Sequence, residues 1–152
     1  MSFDEINALA KDFAEKARPG DVIVLEGELG TGKTAFARAF AKGLGVRGSV
    51  KSPTFNYVLE YRDGRLPLYH FDCYRIADPA EIFEIGYDEY VGGDGVALLE
   101  WGERIADYLP EAFTRIRFCY VPEDGAAGGA ANEEKRIVEI RFTGKKEGEE
   151  HC

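Results

Sequence analysis

The sequence predicts a single α/β domain in which helices flank a mixed parallel and antiparallel sheet. Two observations support this fold class. Short apolar runs with strand character alternate with segments whose apolar residues recur at helical spacing. In the middle of the chain, a turn signal separates two aromatic-rich runs, which adds antiparallel pairing to the parallel unit. The 152 residues, of which 45% are hydrophobic, suffice for one core and give no support to two domains.

The first third of the chain is predicted to form a helix, a strand, a loop and a second helix. The apolar residues of 4–17 share one helical face, and a Pro-Gly-Asp segment ends that helix. A strand is expected at 22–26. The second helix is expected at 33–44, with Gly43 and Gly45 marking its end.

An antiparallel hairpin is expected next. Its two runs extend from Phe55 to Tyr61 and from Leu66 to Phe71, on either side of the turn signal Asp63-Gly64. The rest of the sequence predicts a helical segment at 79–90, a strand at 96–99, a further helix at 103–109, and two strands at 114–121 and 136–143.

Two segments are expected to lie outside the packed elements. Residues 122–132 are rich in glycine and alanine, and they are predicted to form a mobile loop. The end of the chain is mostly charged and is predicted to fray. The domain is therefore expected to span residues 1–143, followed by a charged tail at 144–152.

The charge balance argues against a protein that holds a nucleic acid by itself. The formal net charge is −9, and binding a nucleic acid requires Lys and Arg to neutralise phosphates. We expect no DNA partner, although the 19 Lys and Arg allow a local basic patch. The sequence has no stretch of about 18 apolar residues and no signal-peptide pattern. A soluble, cytoplasmic protein without a membrane partner is expected.

The cysteines predict neither a zinc site nor a disulfide framework. Cys73, Cys119 and Cys152 are odd in number and widely spaced, and the chain has only two histidines. Cys73 is expected to be a half-buried strand residue.

Residues 27–34 fit the phosphate-binding pattern G-x-x-x-x-G-K-[ST] between an expected strand and an expected helix. In such a P-loop, backbone N–H groups surround a phosphate at the positive end of the helix. The lysine reaches the outer phosphates, and the threonine hydroxyl binds Mg²⁺. The alternative is a glycine-rich turn with an incidental lysine. The flanking elements favour a P-loop domain that binds a nucleoside triphosphate.

Two further segments supply oxygen ligands. Glu100 ends an apolar strand, where such folds hold the acid that binds Mg²⁺ directly or through water. Aspartate is the usual acid at that place, and a solvated strand-end carboxylate is the alternative. Thr54, in the segment Ser-Pro-Thr-Phe, can approach the terminal phosphate and its Mg²⁺, or it can simply belong to a turn.

A third segment combines several polar groups on one expected strand. Strand alternation places His70, Asp72 and Tyr74 on one face, and Arg75 follows them. Three polar groups that point the same way are unusual for a strand that only packs against a core.

Together these segments resemble the TsaE family of bacterial ATPases. The motifs are G-E-L-G-T-G-K-T, S-P-T-F, H-F-D-C-Y-R and an apolar strand ending in E-W, in this order within residues 4–121. Members of that family work with the TsaB and TsaD proteins in making N6-threonylcarbamoyladenosine at the tRNA adenosine next to the anticodon. The resemblance implies ATP and Mg²⁺ as cofactors and TsaB and TsaD as partners. With the acidic charge balance, it implies that tRNA is reached only through the complex.

The resemblance also assigns roles by position. Lys33, Thr54 and Asp72 are the implied catalytic residues, with Thr54 as a switch-like threonine and Asp72 orienting the attacking water or ordering the metal shell. Thr34 and Glu100 would lie near Mg²⁺. The implied nucleotide-binding residues are Gly27, Glu28, Leu29, Gly30, Thr31, Gly32, Lys33, Thr34 and Trp101. For Trp101, a buried core position is the alternative. His70, Tyr74 and Arg75 would support Asp72 or face a partner.

Two other functions fit the same P-loop. A small-molecule or nucleotide kinase would need an acceptor pocket and an arginine-bearing lid, and the sequence identifies neither. A nucleotide-gated interaction module would need binding without essential hydrolysis. A GTPase is disfavoured because no N-K-x-D segment occurs. Since Arg38 and Arg75 are the only candidates for an arginine finger, we expect slow hydrolysis that a partner accelerates.

Overall fold

The computed structural model describes residues 3–27, 32–47, 58–73, 77–120 and 136–142. Two helices and six strands form the framework of the domain. The helices are α1 (Phe3–Lys16) and α2 (Lys33–Leu44). The strands are β1 (Val22–Gly27), β2 (Val58–Tyr61), β3 (Leu68–Asp72), β4 (Val96–Glu100), β5 (Thr114–Tyr120) and β6 (Arg136–Phe142). These bounds confirm the predicted elements to within a few residues.

The six strands form one sheet in the order β2-β3-β4-β1-β5-β6. The four central strands run parallel, while β2 and β6 pair antiparallel at the two edges. The predicted mixed sheet and the hairpin of β2 and β3 are therefore confirmed. Because β1, β3, β4 and β5 are parallel, their carboxyl ends lie along one margin of the sheet, here called the carboxyl edge.

Each face of the sheet has its own apolar core. On one face, alternate strand residues such as Ile23, Leu25 and Leu98 pack with Phe36 and Phe40 of α2 and with the apolar face of α1. Burying a side chain of this size stabilises the fold by about 1.5–3 kcal/mol. The other core contains Val24, Phe71 and Leu99, and it is covered by the segments between β3 and β5. The sheet is thus buried on both faces, as parallel strands require.

The covering segments are less regular than the sequence predicts. Residues Pro79–Ile85 form a 3₁₀ helix, Tyr87–Tyr90 form a single α-helical turn, and Gly102–Tyr108 form a second 3₁₀ helix. The expectation of one further helix at 103–109 was wrong in type, because the backbone leaves helical geometry at Ile105. Ile105 is fully buried in the second core, so packing decides the local backbone there.

The junction of the two helices corrects a second detail. Gly43 lies inside α2 rather than ending it, and a Cβ atom there would come within 2.7 Å of the Cβ of Ala14 on α1. The helix ends at Leu44, and the N–H of Gly45 donates to the carbonyl oxygen of Lys42 at 2.9 Å. Gly43 therefore serves the close approach of α1 rather than helix termination.

The turn between β2 and β3 also contacts α1. The guanidinium of Arg65 donates to the carbonyl oxygens of Ala14 at 2.6 Å and Ala17 at 3.1 Å. Ala14 lies in the last turn of α1 and Ala17 directly follows it, at the end where a helix leaves its last carbonyl groups without i+4 partners. Arg65 therefore caps the helix from another part of the chain. None of the helices in the described part of the chain is both long and apolar enough to cross a membrane.

Candidate nucleotide-binding site

The P-loop motif connects the central strand to the beginning of a helix. β1 ends at Gly27 and α2 begins at Lys33, so both ends of the motif lie at the carboxyl edge. The helix N-terminus there presents unpaired N–H groups and the positive end of its dipole, which together attract an anion. Glu28, Leu29, Gly30 and Thr31 lie outside the described residues.

Gly32 occupies a position that no other residue fits. Its φ is +125°, in the region that favours glycine. A Cβ atom would lie 2.9 Å from Cδ1 of Ile6 and 3.2 Å from Cδ2 of Phe118. Since Ile6 belongs to α1 and Phe118 to β5, side chains from two distant elements lie close to the last residue of the loop. The sequence identified the glycine but not these two contacts.

Lys33 is buried against an aromatic ring. Only 4% of the residue is exposed, and its Nζ lies 4.1 Å from the centroid of the Trp101 ring. A lysine ammonium over an indole face is a favourable cation–π arrangement. Trp101 is only partly buried, and it both packs against the second core and lies beside the P-loop lysine.

The backbone of Trp101 explains how it reaches the lysine. Its φ of 62° and ψ of 39° are left-handed, and it is the one non-glycine residue with positive φ in the described ranges. Such a conformation costs an L residue about 1–3 kcal/mol and persists only where surrounding contacts hold it. The turn directs the chain away from β4 immediately after Glu100.

Two carboxylates end adjacent strands at the carboxyl edge. Asp72 is the last residue of β3 and Glu100 the last of β4, and the two are partners in the parallel register. The N–H of Cys73 donates to the carbonyl oxygen of Glu100 at 3.0 Å, which extends the pairing beyond the strand ends. Neighbouring strands are about 4.8 Å apart, so both carboxylates can face one ligand.

His70 contacts Glu100 directly. Its Nε2 lies 2.7 Å from Oε2 of Glu100, and the side chains are 3% and 15% exposed. An ionised carboxylate can only accept, so the imidazole N–H donates. The family resemblance implies that His70 supports Asp72 or faces a partner. Its contact with Glu100 was missed because it depends on β3 and β4 being neighbours.

Comparison with known proteins identifies the family. The family model described as threonylcarbamoyl adenosine biosynthesis protein TsaE matches residues 1–126. The chain belongs to the TsaE family.

Individual relatives agree with this assignment. The tRNA threonylcarbamoyladenosine biosynthesis protein TsaE of Bacillus subtilis is 52% identical over 113 residues, which cover 74% of this chain and 70% of that protein. The protein of the same name from Rickettsia bellii is 35% identical over 133 residues, covering 87% of this chain and 92% of that protein. The crystal structure of B. subtilis YdiB superposes with a TM-score of 0.74 at 37% identity, covering 94% of this chain and 81% of that one.

The TsaE chain offers oxygen ligands that suit a magnesium ion bound with a nucleotide. Thr34 is exposed on the first turn of α2, and the carboxylates of Asp72 and Glu100 end the neighbouring strands. Among the described residues, no group of three or more His, Cys, Asp and Glu could hold a metal ion alone. Mg²⁺ usually takes one or two protein carboxylates and completes its shell with phosphates and water.

A second cluster of charged side chains links β1, the strand that precedes the loop, to β5. Glu26 Oε1 accepts from Arg117 at 2.9 and 3.1 Å, and Oε2 lies 2.8 Å from Nε of Arg115. Glu26 is the residue before Gly27, so this pairing ties the start of the loop to β5. No local pattern indicates this cluster, because Glu26 and Arg117 are 91 residues apart.

Some expectations for this TsaE chain concern residues outside the described ranges. They are Thr54, Tyr74 and Arg75, the loop at 122–132 and the tail at 144–152. Arg38 is exposed on α2. Cys73 is fully buried in the second core, so its expected half-burial was wrong. It follows the end of β3, where the 3₁₀ helix Pro79–Ile85 covers this face of the sheet.

Proposed function

We propose that this TsaE-family protein binds ATP with Mg²⁺ at the P-loop and hydrolyses it. Hydrolysis would serve the threonylcarbamoyladenosine modification of tRNA next to the anticodon, together with the TsaB and TsaD proteins, in the cytoplasm. The observation that carries the proposal is the convergence of Lys33, Asp72 and Glu100 at the carboxyl edge, around the positive end of α2. Family membership supplies the biological context.

The proposed chemistry assigns one task to each side chain. Lys33, held between helix and indole, offsets the negative charge that develops on the outer phosphates during in-line attack by water. Asp72 orients that water or orders the metal shell. Thr34 and Glu100 would hold Mg²⁺, which when bound would supply Lewis-acid polarisation of the phosphoryl oxygens. Thr54 is proposed as the switch-like residue that responds to the terminal phosphate.

The proposal expects slow turnover by the isolated chain. Arg115 and Arg117, on β5 beside β1, are engaged by Glu26. Without an arginine directed at the transferred phosphate, a P-loop hydrolase is slow, and a partner can supply or release the missing charge. With a net charge of −9, the chain is proposed to reach tRNA only through its partners.

Phosphate release from Mg²⁺–ATP tests the proposal. We expect slow release by the wild type, acceleration by the TsaB–TsaD pair, and a loss of about 10²-fold or more in Lys33→Ala. Lys42→Ala is the matched control, because Lys42 is an exposed lysine on the same helix. Equal activity of the two variants would exclude this site, and fast hydrolysis by the isolated wild type would exclude partner stimulation.

Two product measurements separate the alternatives. A kinase would transfer the phosphoryl group to an acceptor, which mass spectrometry of the reaction mixture would detect in place of free phosphate. A nucleotide-gated module would tolerate Asp72→Ala, provided that this variant still binds ATP. If that variant hydrolyses nothing and yet supports multiple-turnover tRNA modification with TsaB and TsaD, hydrolysis is dispensable.

A further inference from the structure

We propose that His70 is a positioning residue that fixes the orientation of Glu100 and thereby sets the affinity of the site for the magnesium ion of Mg²⁺–ATP. The inference rests on the proposed ATP site, and it gives His70 a role different from the support of Asp72 or the partner contact that the resemblance implies. His70 itself would touch neither nucleotide nor metal.

The hydrogen bond occupies only one of the two carboxylate oxygens. Nε2 of His70 meets Oε2 of Glu100 at 2.7 Å, a length typical of hydrogen bonds to an ionised carboxylate. The contact with His70 leaves Oε1 for the ligand at the carboxyl edge. A glutamate has three side-chain torsions, so fixing one oxygen removes most of the rotamers in which the other would point away.

The position of Glu100 makes this support necessary. Glu100 is the last strand residue, and the left-handed Trp101 turns the chain away directly after it. Its own backbone therefore limits its side chain less than an interior strand position would. His70, by contrast, lies inside β3 opposite Leu98 and is 2% exposed. The rigid imidazole on a central strand thus holds the more exposed glutamate at the sheet margin.

The other ring nitrogen of His70 argues that the residue is not there for stability alone. Nδ1 is buried and has no hydrogen-bond partner within the described ranges. A buried polar atom without a partner is unfavourable, so an apolar side chain at this buried position would avoid that cost. The histidine forms a hydrogen bond with Glu100, and an apolar side chain could not form it. Groups that orient metal-binding side chains in this way commonly change metal affinity by 10–100-fold.

A magnesium titration of nucleotide binding tests the inference. Binding of a fluorescent ATP analogue is measured against Mg²⁺ concentration for the wild type and for His70→Leu, His70→Asn and His70→Gln. The Gln amide nitrogen reaches about as far as imidazole Nε2, whereas that of Asn is too short. We expect the half-saturating Mg²⁺ concentration to rise about 10-fold or more in the Leu and Asn variants and to recover in the Gln variant.

Two further measurements exclude a purely structural effect. Phe71→Leu changes a fully buried neighbour on the opposite face of β3 and should leave the Mg²⁺ requirement unchanged. In a Glu100→Gln background, His70→Asn should cause no additional shift, because the carboxylate that it positions is already lost. Nucleotide binding in EDTA should be the same for all His70 variants.

Each possible result decides the question. Unchanged Mg²⁺ midpoints in the Asn and Leu variants would overturn the inference, and so would equal shifts in the Asn, Leu and Gln variants. If His70→Leu fails to fold, the comparison of Asn with Gln decides. Failure of the wild type to bind the nucleotide would overturn the proposed function and, with it, this inference. Normal binding without hydrolysis would overturn only the hydrolytic function.

Discussion

Replacing Gly32 with alanine would test how α1 and β5 support the P-loop. The new Cβ atom would lie 2.9 Å from Cδ1 of Ile6 and 3.2 Å from Cδ2 of Phe118. The left-handed backbone adds about 1–2 kcal/mol for an L residue, and overpacking adds about 1–3 kcal/mol. We expect the free energy of unfolding to fall by about 3 kcal/mol.

A double-mutant cycle would separate the two causes. Ile6→Val removes the Cδ1 atom that the new methyl group meets and alone costs about 1 kcal/mol. In the Gly32→Ala background it also relieves the contact, so the double variant should be about 1 kcal/mol more stable than the sum of the single effects predicts. The unfolding free energies would come from urea denaturation followed by circular dichroism.

A distant valine substitution provides the control for this cycle. Ile82 is fully buried on the other face of the sheet, so Ile82→Val should add to Gly32→Ala within about 0.5 kcal/mol. The same additivity for Ile6→Val would refute the idea that α1 presses on the loop. ATP affinity should stay weakened in every variant that carries alanine at position 32, because the backbone conformation remains strained.

Two further predictions concern stability. Arg65→Ala removes the cap on α1 and should lower the free energy of unfolding by about 1–2 kcal/mol in urea denaturation. Arg38→Ala, at an exposed position, is the control and should change this free energy by less than about 0.5 kcal/mol. Equal effects of the two substitutions would contradict the capping role. Burial raises the pKa of Tyr87 to about 12 from its ordinary value of 10. The neutral phenol is therefore favoured by folding, and its contribution is complete below pH 10 and is lost as the pH rises through about 12. Urea midpoints from about pH 9 to 12 should fall less steeply in Tyr87→Phe than in the wild type, and parallel curves would refute the assignment.

The sheet and the two elements that flank the P-loop motif were predictable because their signals are local. Apolar runs indicate the strands of four to seven residues, and the motif at 27–34 is directly flanked by a strand and a helix. Once the central strands are parallel, their ends meet at one edge, so Asp72 and Glu100 lie side by side there. Their roles remain predictions.

The missed features depend on strand order and packing. The contact of His70 with Glu100 depends on the pairing of β3 with β4. The contact of Glu26 with Arg117 depends on the pairing of β1 with β5. Neither pairing is encoded in residues close in the sequence. The 3₁₀ helices were predicted as ordinary helical segments, because apolar spacing of three to four residues does not distinguish the two geometries in short stretches. The left-handed Trp101 likewise has no local signal, since glycine is the usual residue there.

The central place of β1 in the sheet affects how the protein is made. β1 is complete at residue 27, but its two neighbours come from residues 96–100 and 114–120. During synthesis, the strand that carries the P-loop therefore stays without a partner strand while most of the domain is translated. Pairings between such distant residues form slowly, and an unpaired apolar strand is prone to misfolding and to binding by a chaperone. Nascent chains that end before β5 should therefore be unable to retain nucleotide.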